Sequence, residues 1–118
     1  VYEYRCELRA VVDGDTVDVD IDLGFDCWLR KQRVRLSGIN APEIHTKDAD
    51  EKARGLRARD RLRSLLEGPG RLTLQVQVYD ATEKFGRILG RVVNVDGLDV
   101  ASILLAEHLA VPYAGGAR

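Results

Sequence analysis

The chain has 118 residues, with 18 lysines and arginines against 19 aspartates and glutamates, a net charge of −1. That length suits one domain spanning residues 1–118 with a single core, and the apolar and charged fractions are those of an ordinary globule rather than a disordered chain. No apolar run approaches a membrane span of about 20 residues, and the near-neutral balance argues against a protein that grips nucleic acid by bulk charge alone.

In chain order, residues 1–12 read as a strand, with Tyr2, Tyr4, Cys6 and Leu8 on one parity. Thr16 to Leu23 has the clearest period of two, Val17, Val19, Ile21 and Leu23 alternating with Asp18, Asp20 and Asp22. Gly24-Phe25-Asp26 turns the chain, and Trp28 to Ile39 returns it as a third strand that Pro42 ends. A polar loop, His45 to Asp50, leads to a helix over Ala53 to Leu66, whose Ala58, Leu62, Leu65 and Leu66 share a face. Arg54, Arg57 and Arg61 line one edge of that face and Lys52, Arg59 and Arg63 the other; Gly68-Pro69-Gly70 stops the helix. Leu72 to Tyr79 and Ile88 to Val95 are strands four and five, Asp96-Gly97 a turn, and Val100 to Leu109 a second, apolar helix. Three strands, a helix, two strands and a helix predict a mainly β (α+β) fold, a five-stranded Greek-key barrel of the OB type with two helices.

The charges are segregated. Asp13 to Asp26 holds six acids and no base, whereas Lys52 to Arg63 holds six bases and one acid, so any polyanion site is local. Asp18, Asp20 and Asp22 imitate a calcium loop, but Leu23 stands where that loop requires glycine and Leu29 where it requires glutamate. They are expected to form a solvated strand face. Cys6 and Cys27 have no metal-binding spacing and are expected to be two thiols in a reducing compartment. No signal-peptide pattern opens the chain, which favours a cytoplasmic or virus-encoded intracellular setting; a start at Val1 is equally compatible with a removed segment.

Three short segments carry chemistry. Asp13-Gly14-Asp15-Thr16-Val17 puts Asp15 at the start of a strand, on the parity of Val17 and Val19, hence on the core side at the barrel mouth. Such an aspartate is often only a turn residue, but an unpaired carboxylate there would call for a cation. Arg35 through Asn40-Ala41-Pro42-Glu43 runs from an arginine inside a strand to a corner fixed by proline. Glu83-Lys84-Phe85-Gly86-Arg87 adds a second arginine beside a glycine turn. A carboxylate for a hard cation, a carboxylate for a proton and two guanidiniums are what phosphodiester hydrolysis needs. Periodicity alone does not bring Arg35 and Arg87 together.

These segments, with Tyr113, resemble the staphylococcal nuclease (thermonuclease-like) family, and the resemblance covers about residues 8–113. It implies an OB barrel with added helices and a metal-dependent, usually Ca2+-dependent, nuclease acting on DNA or RNA. Position by position it implies that Asp15, Asn40 and the Ala41 carbonyl hold Ca2+ or another divalent cation. Glu43 would be the general base, Arg35 and Arg87 the phosphate clamp, and Lys84, Phe85 and Tyr113 substrate contacts. His45 is a less favoured base. Secreted members carry aspartate at the place of Asn40 and tyrosine at that of Phe85, and the chain ends without their third helix. The expectation is a monomeric phosphodiesterase with a metal site weakened or retuned by Asn40 and no membrane partner. The alternative is a catalytically weak or inactive nucleic-acid-binding module of the same family; a purely structural domain would bind no oligonucleotide.

Overall fold

In a computed structural model, residues 2–80 and 87–113 are described, Asp80 and Arg87 by their backbone only. The elements are β1 (Tyr2–Asp13), β2 (Thr16–Gly24), β3 (Cys27–Leu36), β4 (Ile39–Asn40), α1 (Ala49–Leu66), β5 (Leu72–Asp80), β6 (Arg87–Val93), α2 (Val100–Ala106) and β7 (Val111–Pro112). Five strands close a barrel in the order β1-β2-β3-β6-β5. Four of its seams are antiparallel; the fifth, β3 against β6, is parallel and pairs Arg35 with Leu89. The two short strands β4 and β7 pair with each other, Asn40 opposite Val111. The five-stranded barrel with two helices is the fold the sequence predicts.

The alternation in β2 fills the interior: Val17, Val19 and Ile21 are buried with Val34 and Leu36 of β3, and Leu62 and Leu66 of α1 and Leu104 of α2 join the same cluster. Cys6 is also inside, where burial, assisted by the neighbouring Glu7 charge, pushes its thiol up to about 12. Cys27 is exposed, and neither forms a disulfide.

Four local readings change. The third strand does not run through to Ile39: it breaks at Ser37-Gly38, with Gly38 at φ 83°, and resumes as β4. α1 starts at Ala49, four residues ahead of the apolar periodicity, because the Asp48 carboxylate accepts from the N–H groups of Asp50 and Glu51 and caps the helix. α2 stops at Ala106. There the N–H of His108 donates to Leu105 O and that of Leu109 to Leu104 O, a Schellman closure with His108 in the left-handed region at φ 59°. Finally, the three aspartates of β2 are not alike. Asp18 and Asp22 pair with Arg33 and Arg71 at the surface, but Asp20 is only 5 % exposed. The β2–β3 register slips between Val19 and Ile21, and Asp20 turns into that bulge. Its Oδ1 accepts from Lys31 N–H at 2.9 Å, and its Oδ2 from Arg9 and Arg30 at 3.0 and 3.1 Å.

Candidate active site

Asp15 follows the Asp13-Gly14 turn and is 2 % exposed. Its backbone carbonyl accepts from Leu36 N–H at 2.8 Å, which ties the β1–β2 turn to the end of β3. Its Oδ2 accepts from Ala41 N–H at 2.9 Å and its Oδ1 from the Thr16 hydroxyl at 2.9 Å. Arg35, 7 % exposed, reaches the same carboxylate with Nη2 at 3.5 Å and the Asn40 amide oxygen at 3.4 Å. Its Nη1 donates to the carbonyls of Leu36 and Ile39 at 3.0 and 2.9 Å, so the guanidinium also closes the β3–β4 turn. Asp15, Arg35, Asn40 and Ala41, from three parts of the chain, thus form one buried polar knot. Asp15 is a paired carboxylate, not the unpaired one the sequence suggests.

The electrostatics follow from the packing. Burial works against the Asp15 anion, but hydrogen bonds from Asp13, Ala41 N–H and Thr16 and the charge of Arg35 together hold its pKa below the ordinary value. Burial, reinforced by the adjoining Asp15 carboxylate, pushes Asp13 up to about 6. As pH falls, Asp13 is therefore the member of the pair that takes up a proton first, while Asp15 stays charged.

Small residues bring α1 onto this knot. A Cβ on Gly14 would lie 2.7 Å from the Cβ atoms of both Ala41 and Ala58. One on Gly55 would lie 2.8 Å from Pro42 O and 3.0 Å from Glu43 O. The first turns of α1 therefore press directly on the backbone that carries Glu43. Glu51, one turn earlier, accepts from Glu43 N–H at 3.3 Å. The Glu43 side chain itself is exposed. Tyr113 enters from the far end of the chain: its N–H donates to Gly38 O at 3.0 Å, and its ring lies 5.8 Å from the Arg35 guanidinium carbon.

The backbone therefore gathers Asp15, Arg35, Asn40, Ala41 and Tyr113, with Glu43 at the edge two residues beyond Ala41. Arg87 opens β6 opposite Asp80, two residues before the register partner of Arg35; its side chain lies outside the described residues, as do Lys84 and Phe85. Asp13, Glu51 and Gly55 belong to the site but were not singled out from the sequence. The i, i+2 pair of acids flanking Gly14 could have flagged Asp13; a glycine within a helix, costly there without a packing reason, could have flagged Gly55.

A family profile described as staphylococcal nuclease homologue matches residues 33–117. The chain belongs to the staphylococcal nuclease homologue family. The matched stretch holds Arg35, Asn40, Glu43, Arg87 and Tyr113, while Asp15 lies ahead of it. The chain is also 32 % identical over 116 residues to endonuclease YhcR of Bacillus subtilis (strain 168). That similarity covers 94 % of this chain but 9 % of the relative, so the chain spans about a tenth of that protein's length.

The oxygens expected from the sequence to meet a cation are the Asp15 carboxylate, the Asn40 amide oxygen and the Ala41 carbonyl, and the first two lie together around Nη2 of Arg35. Among the described residues, no three histidine, cysteine, aspartate or glutamate side chains gather as a metal cluster. The set is nonetheless all oxygen, neutral apart from one carboxylate, and such donors suit a hard cation of the Ca2+ type that completes its shell with water and substrate.

Proposed function

We propose that this domain is a metal-dependent nuclease that hydrolyses phosphodiester bonds of DNA or RNA. Family membership supports nuclease chemistry. The observation that carries the residue roles is the knot itself: Arg35 touches both Asp15 and Asn40 while Asp15 accepts from Ala41 N–H. A phosphate arriving at this knot meets a guanidinium and hard oxygen donors together. Glu43, held through its backbone by Glu51, takes a proton from the attacking water. The water oxygen bonds to phosphorus as the in-line bond from phosphorus to the 5′-oxygen breaks, and the departing 5′-oxygen takes its proton from solvent water. Arg35 and Arg87 neutralise charge on the phosphoryl oxygens, a contribution typically worth about 10³–10⁵ in rate for a positioned arginine. Asp15, Asn40 and the Ala41 carbonyl would hold Ca2+ or another divalent ion, which when bound lends positive charge to a non-bridging oxygen. Lys84, Phe85 and Tyr113 contact the rest of the nucleotide.

One observation favours a second reading, a nucleic-acid-binding module without chemistry. Arg35 spends Nη1 on two backbone carbonyls, and Asn40 brings no charge to the cation, so the knot could serve the fold. A single assay separates the two. Single-stranded DNA and RNA are incubated with the protein and Ca2+, with and without chelator, beside Glu43→Gln and Asn40→Asp variants. The nuclease reading expects chelator-sensitive cutting, lost in Glu43→Gln and kept or raised in Asn40→Asp. Binding with no cutting under any cation supports the module; cutting by Asn40→Asp alone identifies a silenced enzyme.

A further inference from the structure

A second feature opens beside the knot. A cavity of about 290 Å³ has Asn40, Ala41 and Pro42 on one wall, Glu51, Arg54 and Arg57 of α1 on another, and residues 108–111 on the third. The first wall is the segment that offers the Asn40 and Ala41 donors, so this cavity adjoins the candidate active site.

The arginines of α1 divide by partner. Arg61 donates to both oxygens of Glu107 at 2.8 Å. Arg59 and Arg63 lie 3.3 and 3.5 Å from Asp60, and Arg63 lies 3.8 Å from Glu67. Those three are neutralised within the protein. Arg54 and Arg57, both exposed and both facing the cavity, make no ion pair with any described residue. Three residues apart on a helix, they lie on neighbouring positions of one face. The acid on their wall, Glu51, is engaged with Glu43 N–H. His108 lines the cavity opposite, on a left-handed backbone that favours glycine.

We propose that this cavity is a subsite for the phosphodiester backbone of a polynucleotide strand, flanking the bond that is cut, with Arg54 and Arg57 as its phosphate donors. The inference rests on the nuclease reading above and extends it from the scissile phosphate to the chain that carries it. Arginine forks match phosphate oxygens in a way that is blind to base and sugar. The subsite therefore favours a strand over a mononucleotide and treats DNA and RNA alike. A near-neutral domain also needs such a local patch, because its overall charge of −1 supplies no general attraction.

The test compares the parent with Arg54→Ala/Arg57→Ala and with the charge-preserving Arg54→Lys/Arg57→Lys. Binding of about 20-nucleotide single-stranded DNA and RNA is followed by anisotropy against salt in a Glu43→Gln background, and cleavage of the same strands and of a dinucleotide is followed in the active one. Each phosphate contact to a single strand contributes a slope of about 0.7 in log K against log salt. The alanine pair should flatten the slope by roughly 1.4, raise KM for both strands about tenfold, and leave dinucleotide cleavage within about twofold. The lysine pair should restore most of the slope. Unchanged slope and KM in the alanine pair would overturn the subsite while leaving the nuclease reading intact. A loss confined to DNA or to RNA would overturn it as a phosphate site. A parent protein that neither binds nor cuts would overturn both. Equal losses on strand and dinucleotide would mean that the arginines only support the fold.

Discussion

Replacing Gly55 by alanine tests whether α1 sets the position of Glu43. In a solvated helix this change stabilises by about 1 kcal/mol, because glycine is the poorer helix former. Here the new methyl would sit 2.8 Å from Pro42 O, 3.0 Å from Glu43 O and 3.2 Å from Glu43 C, all backbone atoms with no flexible end to yield. Reaching 3.4 Å, the near edge of ordinary contact, requires the helix or the Pro42-Glu43 segment to move by about 0.6 Å. Overpacking of that kind typically costs about 1–3 kcal/mol. The net expectation is a loss of roughly 0–2 kcal/mol, or up to about 8 °C in Tm at this chain length. Displacing a reacting group by about 1 Å can cost about 10²-fold in rate, so cleavage should fall by about 10- to 100-fold. Thermal unfolding by circular dichroism and a strand-cleavage assay on the same preparation give both quantities. A variant more stable by about 1 kcal/mol, with undiminished cleavage, would refute the claim that α1 clamps this segment through Gly55.

Asp20 governs an acid transition in stability. Burial opposes its charge, but the Lys31 N–H and the Arg9 and Arg30 side chains more than offset this and hold its pKa below the ordinary carboxylate value. Its contribution is therefore complete above the unfolded pKa of about 3.9 and is lost as pH falls through the lower folded value. Urea midpoints between pH 6 and pH 3 should drop less steeply in Asp20→Asn than in the parent, and Asp20→Ala should cost about 2 kcal/mol at neutral pH. His108 occupies the left-handed position of a Schellman closure, so His108→Gly should raise stability by about 1 kcal/mol in the same urea titration. A thiol reagent at neutral pH should modify one cysteine of the native protein, the exposed Cys27. The second, Cys6, should react only in denaturant, because burial keeps its thiol protonated up to about 12.

The barrel was legible because β2 and β5 carry their apolar residues at a period of two and α1 carries its own at the helical spacing. The site was legible in part. Asp15 shares parity with Val17 and Val19, which places it inside, but its pairing with Arg35 depends on contacts across 20 positions that no local pattern encodes. The capped start of α1 was missed because Asp50 to Lys52 is polar and the first turn lacks the apolar repeat, while Asp48 acts through side-chain hydrogen bonds rather than through hydrophobicity. Asp20 was misread for a related reason. A bulge changes which way a strand residue faces, and the cause of this one lies in β3, where Lys31 takes φ 56°. Glu51 acts through a backbone hydrogen bond that has no residue-type signature, whereas Gly55, which acts through close backbone approach, carried its one signal in being a glycine inside a helix.

In the proposed mechanism Asp15, Arg35, Asn40, Ala41 and Arg87 form one phosphate- and cation-binding centre beside Glu43. A crystal structure of the Glu43→Gln variant with Ca2+ and a short single-stranded oligonucleotide tests it most directly. The expected result is a phosphate held by the guanidiniums of Arg35 and Arg87, and Ca2+ at about 2.3–2.6 Å from Asp15 and the Ala41 carbonyl. An oligonucleotide bound elsewhere on the barrel, with the Asp15–Arg35 knot closed and no cation against Asp15, would contradict it.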